Sequence, residues 1–68
     1  MSLYKLVEVV GTSEVSWDDA AKNAIETASE TLHDLRIAEV IKLDIKVEGT
    51  KLVYRSRLSL SFRYMGGN

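Results

Sequence analysis

Sixty-eight residues with no cysteine and no proline, and nine Lys and Arg against ten Asp and Glu for a net charge of −1, exclude several classes at once. There is no disulfide framework and no thiolate chemistry, a lone histidine without cysteine excludes an ordinary structural zinc site, and the charge balance leaves no electrostatic footprint for nucleic acid. A core this small barely offsets the entropy of ordering the chain, so a further support is expected, and self-association is the one left open.

No apolar run approaches the roughly 20 residues that span a bilayer, and no signal-peptide pattern is present. A cytoplasmic protein of one domain, 1–68, is therefore expected, with Met65–Asn68 as a loose tail.

The first strand is expected over Leu3–Val10. Leu3, Lys5, Val7 and Val9 fall on one face and Tyr4, Leu6, Glu8 and Val10 on the other, so both faces carry apolar residues and both need at least partial cover. Gly11, Thr12 and Ser13 read as the break into a loop.

One stretch has helical periodicity, from Ser16 to about Leu35. Ser16 is a candidate N-cap with Asp19 three residues on, and Asp18 and Asp19 suit the positive end of the helix dipole as His33 suits the negative end. Trp17, Ala20, Ala21, Ala24, Ile25, Ala28, Leu32 and Leu35 recur at spacings of three and four on one face. Four alanines make that face shallow. A sheet can approach it closely, but at about 25 cal/mol per Å² of apolar surface the helix buries little.

The second strand is expected over Ile37–Val47, with Ile41, Leu43, Ile45 and Val47 alternating against Lys42, Asp44, Lys46 and Glu48. Ala38 and Val40 fall in the opposite phase, which predicts a bulge or a change of partner near Glu39 to Ile41. Glu48-Gly49-Thr50 signals a tight turn. The last strand, Lys51–Tyr64, places Leu52, Tyr54, Leu58, Leu60, Phe62 and Tyr64 on one face and Arg55, Arg57 and Arg63 on the other. Strands usually run five or six residues, so the excess length reads as surface meant for neighbouring subunits.

The order is β-α-β-β, an α+β fold with a three-stranded antiparallel sheet and one helix across one face. The first strand pairs antiparallel or parallel beside the hairpin. Lys42, Asp44 and Lys46 then lie near Arg55 and Arg57 on the other face, a cationic excess able to attract an anion.

Tyr4 to Ser13 followed by Ser16-Trp17, then Ile37-Ala38-Glu39-Val40, then Tyr54-Arg55 through Ser61-Phe62-Arg63, stand in the order and setting of the dodecins, and from Tyr4 to Arg63 the chain resembles that family. The resemblance implies a hollow spherical homododecamer that stores or buffers a small ligand, in many members a flavin such as FMN or riboflavin, and that is not an enzyme. It places the candidate site where Ile37 and Arg55 of adjacent chains come together. Ile37 stands where flavin-binding members have a stacking Trp, and Arg55 aligns with a Gln that bonds the ring edge. An Ile offers no flat polarisable face, whereas Arg55 can donate hydrogen bonds or meet a phosphate or carboxylate.

Among the other candidates, Trp17 is expected to pack the helix start against the sheet or a neighbour rather than to line a pocket. His33 reads as a surface helix residue, and Glu39 as an inter-subunit salt bridge. Arg55, Arg57 and Arg63 are expected to pair with Asp44, Glu48, Glu8 or a neighbouring subunit in preference to forming an anion site. Asp18 with Asp19, or Asp44 with Glu48, supply carboxylates for Ca²⁺ at a subunit contact, but neither resembles a calcium loop, so no metal ligand is assigned. Nucleophile-elbow, zinc-protease and phosphate-loop motifs are absent, and no catalytic residue is assigned. The runner-up is a structural or Ca²⁺-binding assembly of the same architecture without flavin.

Overall fold

The computed structural model describes residues 3–64, with the side chain of residue 64 left out; the expected tail at 65–68 lies outside the described residues. The elements are β1 (Leu3–Ser13), α1 (Trp17–Ser29), β2 (Leu35–Glu48) and β3 (Lys51–Tyr64). They form an α+β fold with one antiparallel sheet in the order β1-β3-β2 and α1 across one face. The open question of β1's direction is settled as antiparallel, against β3.

β3 is central, with a neighbour on each side, and where α1 also covers its inward face Ser56, Leu58 and Leu60 are fully buried. Leu58 and Leu60 join Ala24 of α1 in the core, with Val9, Ile25, Leu32 and Ala38 packed around them. Ser56 is made tolerable there by a bond: its hydroxyl donates to the Trp17 carbonyl at 2.9 Å.

Gly11 is part of β1, opposite Ser56, and does not end the strand. Its missing side chain serves a close approach, because a Cβ would lie 2.1 Å from the Ala20 carbonyl oxygen and 2.8 Å from the Ala24 Cβ. The strand therefore continues through Thr12 and Ser13, where the sequence pattern predicts a loop.

Ser16 caps α1, accepting from the Asp19 amide at 3.0 Å, and the Asp19 carboxylate accepts from the Ser13 hydroxyl at 2.7 Å. The helix stops at Ser29, six residues short of Leu35. Thr27, Ser29 and Thr31 lower helix propensity there, and Asp34 turns the chain with a φ of 62°. His33 thus sits exposed in the connection, away from the helix end.

β2 begins at Leu35, and its register shifts twice, between Leu35 and Ile37 and between Val40 and Lys42. The second shift makes Ile41 the extra residue of a bulge, within the segment where the change of phase predicts one.

The molecule is long. Its extents are 50 × 20 × 15 Å and its radius of gyration is 13.9 Å, against about 11 Å for a compact chain of this length. The hairpin runs past the helix, and its far end lies uncovered.

Candidate functional site

The face of the sheet that α1 does not cover is built from cross-strand rows fixed by register. Leu6, Ser61 and Ile37 form one row; Glu8, Ser59 and Glu39 the next; then Val10, Arg57 and Lys42; then Thr12, Arg55 and Asp44. Apolar, acidic and basic bands thus follow each other along one surface.

Ile37 is 62% exposed on this face, opposite Ser61. Arg55 is opposite Asp44 and donates to its two carboxylate oxygens from two of its three nitrogens, Nε at 2.6 Å and an η nitrogen at 2.9 Å. Six residues of β3 separate the two rows, about 20 Å at the usual strand rise. One chain therefore does not bring Ile37 and Arg55 together.

The fork-to-carboxylate geometry is the strong form of this contact. Hydrogen bonding from Arg55 holds the Asp44 carboxyl below the usual carboxylate value, with Lys42 and Arg57 lowering it further. The same bonds raise the Arg55 guanidinium above its usual value. Asp44 is held at its backbone too, where the Trp17 indole Nε1 donates to its carbonyl at 3.0 Å. Trp17 meets the Tyr54 ring edge-on with centroids 5.3 Å apart. It packs the helix start against the sheet, as its position predicts. The Trp17–Asp44–Arg55 connection spans 27 residues between its first two members and carries no sequence signal.

Of the ion pairs expected within the chain, Arg55 with Asp44 forms, whereas Arg57, Arg63 and Glu8 make no salt bridge among the described residues; Glu39, expected to bridge to another copy, is exposed. Asp19 is engaged by Ser13 and, at 3.5 Å, by Asn23. Among the described residues no three His, Asp or Glu side chains gather as metal ligands within the chain.

On the covered side, an open groove of about 630 Å³ lies between α1 and β1 over Val7, Val9, Ala24 and Ala28.

A family model described as Dodecin matches residues 3–65. The chain belongs to the dodecin family. It is 41% identical over 64 residues to calcium dodecin from Mycobacterium tuberculosis, covering 93% of this chain and 90% of that one. Its fold is similar to the crystal structure of that organism's calcium-chelating antigen, calcium dodecin, described with a novel calcium-binding site: TM-score 0.87, 37% identity, 98% and 97% of the two chains. It is also similar to dodecin from Streptomyces coelicolor, with a TM-score of 0.91, 34% identity, and 97% and 96% coverage. No helix among the described residues is long and apolar enough to cross a membrane. The stretches around Tyr4, Ile37 and Tyr54 that resemble dodecins thus lie in a chain with the dodecin fold.

Proposed function

We propose that this dodecin is a non-enzymatic holder of a small ligand that works as a homododecamer, its ligand lying where the helix-free faces of adjacent copies bring Ile37 and Arg55 together. The observation that carries the reading is uncovered apolar surface on both faces of the sheet: Leu6, Val10 and Ile37 on one, Leu43, Ile45, Val47 and Leu52 on the other, all exposed in the single chain. Apolar surface on this scale marks a surface that another chain covers.

A stacked flavin does not fit the residues present. Ile37 has no ring to lay against an isoalloxazine, and the Nε and one η nitrogen of Arg55 are engaged by Asp44. Twelve copies of the 7.6 kDa chain give about 91 kDa, which native mass spectrometry measures directly. Riboflavin or FMN titrated into that assembly is expected to keep its fluorescence, and Ile37→Trp to introduce quenching. Quenching by the unaltered protein would overturn the exclusion of flavin, and a stable monomer the assembly.

A second reading, Ca²⁺ held between copies, is favoured by the 41% identical relative being a calcium dodecin. With no group of three carboxylates gathered among this chain's described residues, carboxylates from a second copy would complete such a site. Calorimetric titration with CaCl₂ tests it, and heat no greater than that of dilution rejects it.

A further inference from the structure

The hairpin from Lys42 to Arg57 carries five basic residues, and they divide into two kinds. Lys46 meets Glu48 at 3.1 Å, Lys51 meets Glu14 at 3.0 Å and Arg55 meets Asp44 at 2.6 Å. Lys42 and Arg57 meet no carboxylate among the described residues. They are also register partners, directly opposite each other on the helix-free face. Like charges so placed work against the sheet.

The bulge creates this juxtaposition. Val40 is opposite Leu58, so an unbroken register would set Ile41 opposite Arg57. The extra residue instead turns Lys42 to the outer face. Arg55 lies in the adjacent row with its charge balanced by Asp44, a carboxylate that feels all three cations. On the other side the row of Glu8, Ser59 and Glu39 is acidic, which confines any bound anion to the strip between Lys42, Arg57 and Thr12. That geometry suits one compact anion and disfavours an extended polyanion.

We infer that Lys42 and Arg57 form a receptor for a phosphate group, so that the ligand held on this face is inorganic phosphate or a phosphate monoester. Arg57 offers a planar fork that matches two phosphate oxygens, and Lys42 a mobile point charge against a third. That the bound phosphate is the stored ligand rests on the proposed function; the receptor itself does not.

Isothermal titration with inorganic phosphate tests the receptor, with native mass spectrometry on the same samples. Saturable binding is expected that weakens in about 0.5 M NaCl. Lys42→Gln and Arg57→Gln should each weaken it about tenfold or more, the scale of a lost charge-assisted hydrogen bond. Lys22→Gln, on the exposed side of α1, should leave it unchanged. No saturable binding, or binding indifferent to both variants, overturns the receptor. So does disassembly in either variant, which would assign the pair to a neighbouring copy's carboxylates. An intact 91 kDa assembly that ignores phosphate removes the receptor alone, whereas a 7.6 kDa chain that binds phosphate through the pair removes the assembly alone.

Discussion

Two ends of the same hairpin face carry the same alternation and meet different fates. Under α1, Leu58 and Leu60 are 0% exposed, and Ser56 between the helix and the strands is satisfied by the Trp17 carbonyl. Beyond α1, Ile45 and Val47 point to the same side and remain 40% and 68% exposed. A helix of 13 residues covers about 20 Å, while strands of 14 residues run about 46 Å. The covered end is held by the chain's own core; the far end has strand pairing but no lid. Whatever buries it comes from outside the single chain.

Gly11→Val strikes the covered end hardest. A side chain at 11 collides with Ala20 and Ala24, and separating α1 from β1 should cost about 3 kcal/mol or more in chemical denaturation. Leu58→Ala, which empties the centre without forcing the helix off, should cost about 2–5 kcal/mol by the same measurement.

Ile45→Lys probes the far end instead. The residue lies opposite Tyr54, outside the buried cluster, so the variant should lower the native mass of the proposed assembly. An unchanged mass would mean that this end is not a contact.

Trp17→Phe sharpens the boundary between the two ends. It keeps a ring against Tyr54 but removes the donor to the Asp44 carbonyl, and should cost about 0.5–1.5 kcal/mol in thermal or chemical unfolding. The smallest effect is the acid response of Asp44. Its folded carboxyl is lowered from 3.8, so its contribution is complete above about pH 4 and is lost as pH falls through the folded value. Asp44→Asn should flatten that part of the stability profile and lower the plateau above it, because the ionised carboxylate that Arg55 holds is gone.

Much of this was readable from residue types alone. Alternation in Lys51–Tyr64 located the central strand's buried face, the phase change after Val40 located the bulge, and Ser16 with Asp19 located the helix start. Gly11 misleads because glycine serves turns and close approaches equally well, and only the position of Ala20 decides between them. The apolar spacing of Leu32 and Leu35 extends a helix that Asp34 ends, since both leucines reach the same core from a connection and a strand. At the candidate site, the Arg55–Asp44 pair follows from alternation once the hairpin is known. That Lys42 and Arg57 form no close ion pair does not, because it depends on side-chain reach across rows, and the proposed meeting of Ile37 with Arg55 requires a second copy.

The most direct measurement is a dilution series followed by native mass and far-ultraviolet circular dichroism together. If other copies cover the exposed apolar faces, strand signal and the mass of about 91 kDa should vanish at the same concentration. A 7.6 kDa species that keeps its full strand signal after dilution would contradict the account.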